Sequence, residues 1–64
     1  MTKTDTEIMQ YIAKAAKDCR ALYEVPMMVY AAIMHDNATR KKSLRAGEQR
    51  IKRIMHEMAA ANLI

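Results

Sequence analysis

The sequence predicts an all-α fold: a compact three-helix domain that forms a dimer. Hydrophobic residues fill 52% of the 64 positions, and most of them are Ala, Met, Ile and Leu, which favour helices. One Gly and one Pro leave little material for tight β-turns. A chain this short buries only about 60% of its unfolded surface. Since its single Cys cannot form an internal disulfide, we expect a second subunit to stabilise it.

The first helix is expected over residues 5–24. Thr4 and Glu7 stand three positions apart, just before an apolar pattern, which is the spacing of a capping box. Apolar residues then recur at intervals of four and three from Ile8 to Leu22. This period predicts a helix with one face packed into a core.

The second helix is expected over residues 26–36. The residue before a proline is disfavoured in the helical region, so Pro26 should end the first helix and begin the second. No charged residue occurs from Met27 to Met34, and a helix that is apolar on all sides must be covered on all sides. Its two neighbours cannot cover it completely, so we expect a dimer or partner interface here. The expected interface residues are Met27, Met28, Tyr30 and Met34.

Residues 37–47 are expected to form a basic connection, because the residues from Asp36 to Thr39 prefer turns and caps. Within it, residues 39–46 fit either a short polar helix or a loop that Gly47 closes. The sequence leaves both alternatives open.

The third helix is expected over residues 48–61, with Asn62 as a left-handed cap at its end. Four apolar residues at helical spacing form its core-facing stripe. They are Ile51, Ile54, Met55 and Met58.

Positive charge is concentrated in residues 40–53. This segment holds seven of the eleven Lys and Arg residues and one acidic residue, so its net charge is +6. The other fifty residues carry four basic and six acidic groups, net −2. This asymmetry is typical of a protein that binds a polyanion, although a solvated surface that keeps a Met-rich protein in solution is the simpler alternative.

The third helix carries side chains that can read DNA bases. Gln49, Arg53 and His56 lie at i, i+4 and i+7 and point away from the apolar stripe. In the major groove Arg and Lys can recognise guanine and Gln can recognise adenine, while other basic groups contact phosphates. The expected nucleic-acid-binding residues are Arg40, Lys41, Lys42 and Arg45 toward phosphates, and Gln49, Arg50, Lys52 and Arg53 toward bases.

Residues 50–64, RIKRIMHEMAAANLI, resemble the recognition helix of winged helix-turn-helix DNA-binding proteins. Asn62, Leu63 and Ile64 stand where that family commonly has Gly-Leu-Ile, and Leu44 stands at the last apolar position of its preceding helix. The matching helical positions are Ile51, Arg53, Met55 and Met58. The resemblance implies a helix-turn-helix-like domain of three helices without the β-hairpin wing. It also implies that Gln49, Arg50, Lys52 and Arg53 face the bases.

Three functions fit these patterns. The first is a small transcriptional regulator that binds double-stranded DNA as a homodimer through its third helix. The second is a helical modulator or inhibitor that occupies the surface of a target protein. A basic helix lying on an anionic membrane fits less well, because residues 59–61 are alanines and the apolar stripe has no aromatic anchor.

The sequence gives no indication of catalysis, a cofactor or a metal site. It has no Gly-rich phosphate loop, no paired carboxylates and no plausible catalytic triad, so we do not expect an enzyme. His35 and His56 lack the i, i+4 spacing of a helical zinc site and are expected at the surface. Cys19 is interpreted as a small core residue, and Ser43 as a cap or polar loop residue.

The chain is expected to be a soluble cytoplasmic protein. Its first residues lack the apolar core of a secretory signal. Its longest apolar run, from Val25 to Met34, is shorter than the roughly 20 residues that a membrane span needs.

Overall fold

A computed structural model describes residues 2–18 and 21–64, which form three α-helices and one short 3₁₀ turn. The elements are α1 (Lys3–Asp18), the 3₁₀ turn (Leu22–Glu24), α2 (Val25–Thr39) and α3 (Glu48–Ala60). The described residues contain no strand, and each helix packs against the other two. The all-α, three-helix prediction is confirmed. None of the described helices combines the length and apolar character that a bilayer span requires.

The core is built from aliphatic side chains and methionines at helical spacing. The buried set is Ile8 and Ile12 of α1, Val25, Val29 and Ile33 of α2, Ala46 of the connection, and Ile51, Ile54, Met55 and Met58 of α3. Full burial of one such large side chain contributes about 1.5–3 kcal/mol. No polar or charged residue is buried in the described part of the chain, so the core itself is held by apolar packing.

α1 begins earlier than predicted. The backbone amide of Asp5 donates a hydrogen bond to Oγ1 of Thr2 at 3.1 Å, so Thr2 rather than Thr4 caps the helix. The spacing of a Thr three positions before an acidic residue occurs at both places. Arg50 of α3 also contacts Thr2 and Asp5, and this contact favours the earlier start.

α1 also ends earlier than predicted, at Asp18 rather than near residue 24. Ala21 has an extended backbone, with φ −138° and ψ 140°, so the helix is already broken there. Pro26 is therefore not what ends it. Cys19 lies outside the described residues.

α2 begins with Val25, which adopts a helical conformation although it precedes a proline (φ −58°, ψ −46°). Pro26 lies in the first turn, where a missing amide proton leaves no helical hydrogen bond unmade. The side chain of Val25 is completely buried in the core, and that burial offsets the pre-proline bias.

α2 continues to Thr39, past the predicted end at residue 36, because its polar residues have partners. The hydroxyl of Tyr11 on α1 donates a hydrogen bond to the carboxylate of Asp36. Thr39 donates its hydroxyl to the His35 carbonyl at 2.9 Å within the last turn. Residues that prefer turns in isolation are thus held in a helix by contacts made after folding.

The connection between α2 and α3 is a loop rather than a short polar helix. Asn37 fixes it with two hydrogen bonds to the backbone of Leu44, at 3.0 and 3.2 Å. Leu44 packs against the core from this loop, whereas the family resemblance places it at the end of a helix. Lys41 has a positive φ of 53°, a conformation that costs a non-glycine residue about 1–2 kcal/mol.

α3 ends in a left-handed cap, as predicted. Asn62 has φ 59°, and its amide donates to the Ala59 carbonyl at 3.1 Å. The Leu63 amide donates to the Met58 carbonyl at 2.9 Å. These two bonds form a Schellman motif, which satisfies carbonyl groups that the helix end would leave unpaired.

We predict that Asn62→Ala lowers the free energy of unfolding by about 0.5–1 kcal/mol, because Ala is strained at positive φ. Asn62→Gly keeps the cap without that strain and is the matched control, expected to be at least as stable as the wild type. Urea unfolding followed by circular dichroism measures both. Equal destabilisation by Ala and Gly would show that the Asn side chain matters rather than the backbone conformation.

Candidate nucleic-acid interface

α3 presents a polar ridge opposite its buried stripe. Helix geometry places Gln49, Arg53 and His56 on one line, and all three are exposed. Lys52 is exposed on one flank of this ridge, and Arg50 lies on the other flank. The helix starts after Gly47, which has an extended backbone, and Glu48 in the first turn suits the positive end of the helix dipole.

Arg50 is bound by α1 rather than free on the ridge. Its Nε and Nη2 atoms both donate to Oδ1 of Asp5, at 2.9 and 2.7 Å, and Nη2 also contacts Oγ1 of Thr2 at 3.3 Å. The Arg50 side chain is 35% exposed and that of Asp5 16%. Nη2 of Arg53 lies farther from the same carboxylate oxygen, at 3.9 Å, and Arg53 stays 61% exposed. Of the residues expected to face bases, Arg50 is thus the one whose donors are already engaged.

The Asp5–Arg50 contact changes the chemistry of the carboxyl group. Hydrogen bonding from the Arg50 guanidinium lowers the pKa of Asp5 below its ordinary value of 3.8, and partial desolvation opposes this effect. The Asp36 pKa is lowered as well, chiefly by the hydrogen bond from Tyr11, whose own pKa is raised by the same bond. Both carboxyl groups therefore favour their charged forms in the folded protein.

The basic connection lies beside α3 at the surface. Its four cations are exposed, and no ion pair joins any of them to a carboxylate in residues 2–18 and 21–64. They are Arg40, Lys41, Lys42 and Arg45. Two hydrogen bonds with the Asn37 side chain anchor the backbone of Leu44, which lies between Lys42 and Arg45 in the chain.

Two adjoining grooves join three of these cations, Lys41, Lys42 and Arg45, to the start of α3. The first, of about 580 Å³, runs between the start of α1 and residues 41–45 of the connection, and Arg50 lines it. The second lies between the start of α1 and the start of α3, and Arg50 lines it too. Besides the predicted residues, Lys3 and Glu7 of α1 line the first groove. The sequence offered no signal for their part in it, because only folding brings α1 beside the connection.

The exposed side of α2 is apolar. All four residues expected at an interface are exposed: Met27 (71%), Met28 (45%), Tyr30 (42%) and Met34 (48%). A groove lined by Tyr30, Met34 and residues 43–47 connects this face to the basic connection. A partner that covers this face of α2 would therefore also touch the connection.

The remaining candidate residues are His35, Ser43 and His56, and all three are exposed. Ser43 lines the first groove, His56 lies on the ridge of α3, and His35 lies on α2. Within the described ranges, no group of three or more His, Cys, Asp or Glu side chains is placed to hold a metal ion.

Comparisons with protein-family models, with curated proteins and with solved structures found no match to this chain.

We predict that the Asp5–Arg50 contact makes stability depend on acid pH. A carboxyl group whose folded pKa is lowered adds stability above its unfolded pKa, about 3.9, and this stability is lost as pH falls through the folded pKa. Asp5→Asn should therefore melt at a lower temperature than the wild type near neutral pH, and the gap should narrow below about pH 4.

Thermal melts followed by circular dichroism over the acid range measure this gap. Arg50→Gln removes the partner of Asp5 instead. The difference in melting temperature between the wild type and Arg50→Gln should also narrow below about pH 4. A gap between wild type and Asp5→Asn that stays constant with pH would contradict the electrostatic origin of the effect.

Proposed function

We propose that this chain is a small DNA-binding protein, a non-enzymatic transcriptional regulator that acts in the cytoplasm as a homodimer. The observation that supports this most is the set of exposed cations on the connection and on the ridge of α3, which two grooves beside the start of α1 join through Arg50. In this proposal α3 lies in the major groove of double-stranded DNA, and the connection contacts phosphates.

The ridge of α3 supplies the base contacts. Gln49 and Arg53 are exposed, and Lys52 borders them. These side chains carry the donors that suit guanine and adenine edges in the major groove. An α-helix with its side chains is about 10–12 Å wide, which matches a groove of about 12 Å.

Arg50 has a positioning role in this proposal. Its guanidinium is committed to Asp5, so it fixes the start of α1 against α3 and partly neutralises the carboxylate beside the ridge. Lys3 joins the phosphate-facing set, because it lines the same groove as the connection.

The connection supplies sequence-independent affinity. Arg40, Lys41, Lys42 and Arg45 are exposed, and with Lys3 they offer about five cations to the phosphate backbone of DNA. Release of counterions from DNA makes such contacts strongly dependent on salt.

The homodimer part of the proposal rests on the exposed face of α2. No charge occurs between Val25 and Met34, so two copies of this face meet without electrostatic repulsion. Exposed apolar residues that are neighbours on one helix, unlike apolar residues scattered singly over a surface, are typical of an interaction site. A twofold dimer would present two α3 helices, and half-sites about 34–36 Å apart would suit them.

The same face supports a second candidate function. Met27, Tyr30 and Met34 are exposed, and methionine side chains adapt readily to different binding surfaces. A target protein could occupy the face instead of a second copy, and the chain would then act as a modulator or inhibitor. The two candidates differ in whether purified protein self-associates.

We predict that the chain binds duplex DNA with a log–log salt slope of roughly −4 to −5 per subunit, for about five neutralised phosphates. Lys42→Ala should weaken binding and reduce this slope by about one, because it removes one phosphate contact. Lys17→Ala, an exposed cation at the last turn of α1, is the matched control and should change neither. Fluorescence anisotropy at several salt concentrations measures these slopes, and absence of binding at low salt would refute the proposal.

We predict that the purified protein is a dimer of about twice the 7.3 kDa chain mass. Tyr30→Glu and Met34→Glu should convert it to a monomer, because each places a charge in the α2 interface while leaving the core intact. Gln10→Glu, which adds the same charge on the exposed side of α1, should remain dimeric. Sedimentation equilibrium without DNA decides this, and a monomeric wild type at high concentration would favour a target protein on that face.

A further inference from the structure

A cleft lies between the 3₁₀ turn and α3, and the residues that the turn contributes to it have no role in the function proposed above. Its volume is about 420 Å³. Its lining residues are Leu22, Tyr23, Pro26, Lys52, Met55, His56 and Ala59. Tyr23 is 80% exposed and Leu22 50%, so these two side chains form an apolar wall that is open to solvent beside Lys52 and His56 of α3.

The cleft lies on the flank of α3 opposite to Arg50. Lys52 and Ala59 share one side of the helix, whereas Arg50 lies on the other side, against α1. The exposed ridge of α3 is thus bordered on both sides. The start of α1 and the connection form one border, and the turn that carries Tyr23 forms the other.

A helix that fills the major groove brings its two borders toward the two DNA strands. The groove is about 12 Å wide and the helix with its side chains about 10–12 Å, so elements just beside the helix reach the sugar-phosphate backbones. The basic connection suits one strand. The turn beside the other strand offers the aromatic ring and hydroxyl donor of Tyr23, and Lys52 of α3 lines the same cleft.

The chemistry of this border fits a deoxyribose-phosphate segment. None of the described residues that line the cleft carries a carboxylate, and Lys52 supplies a cation to its lining. The exposed carboxylate of Glu24 follows Tyr23 in the same turn but does not line the cleft. A tyrosine hydroxyl can donate a hydrogen bond to a phosphate oxygen, and such donors commonly position a protein on DNA. The apolar wall of Leu22 and the ring of Tyr23 can pack against the carbon-rich face of the sugar.

We propose that Tyr23 is a backbone-contacting residue for duplex DNA, donating its hydroxyl to a phosphate on the strand opposite to the one that the basic connection contacts. This inference rests on the proposed DNA-binding function and adds a residue to its site. The 3₁₀ turn then forms a second border of the DNA-binding surface. The first border, formed by the connection and the start of α1, carries more basic residues than the turn.

The test is fluorescence anisotropy with a labelled DNA duplex and a single-stranded oligonucleotide of the same length. Tyr23→Ala should weaken duplex binding about 5–10-fold and Tyr23→Phe about 3-fold, with the salt slope unchanged because neither variant removes a charge. Gln10→Ala, an exposed position outside all the grooves described above, is the matched control and should bind like the wild type. Circular dichroism verifies that each variant folds, as expected for changes at a side chain so exposed.

The outcomes separate this inference from the function on which it rests. If the wild type binds duplex DNA and the affinity of Tyr23→Ala is within twofold of the wild-type affinity, the role of Tyr23 is overturned and the proposed function stands. A loss on the single strand as large as that on the duplex also overturns it, because that result indicates stacking on bases rather than contact with a duplex backbone. No binding by the wild type overturns both.

Discussion

One carboxylate, that of Asp5, joins the first turn of α1 to the basic side of α3. Its contact with Arg50 is a charge-assisted hydrogen bond at 2.7 Å between residues 45 positions apart in the chain. Because Thr2 and Asp5 also form the cap of α1, the start of one helix and the orientation of another depend on the same few atoms. The Asp5–Arg50 contact therefore fixes the position of the start of α1 against α3. An isolated basic helix would have no such contact.

The size of the chain sets the second constraint. Its core consists of one stripe from each helix with Ala46 of the connection, and α2 buries only Val25, Pro26, Val29 and Ile33. From Val25 to Met34 this helix carries no charge, so the surface that α1, α3 and the connection leave uncovered there is apolar. The exposed methionines and Tyr30 follow from this apolar stretch of α2.

Much of the fold was predictable from the sequence because it depends on local period. The stripe from Ile51 to Met58 and the left-handed Asn62 follow from helix geometry and from the backbone freedom of Asn. Helix ends were less predictable. Asp36 and Asn37 have turn preferences, yet they are helical because Tyr11 and Leu44 satisfy their side chains, and neither partner can be read from a single sequence.

The candidate site also has features that the sequence could predict and features that it could not. The exposure of Gln49, Lys52 and Arg53 follows from their positions opposite the buried stripe, so the sequence was sufficient to place them on the surface. The engagement of Arg50 was not predictable, because its partner lies on another helix.

The two Asn37 hydrogen bonds have a further consequence for the connection, since they hold its cations on an ordered backbone before any ligand arrives. A ligand that bound this loop would therefore have little backbone entropy to remove there.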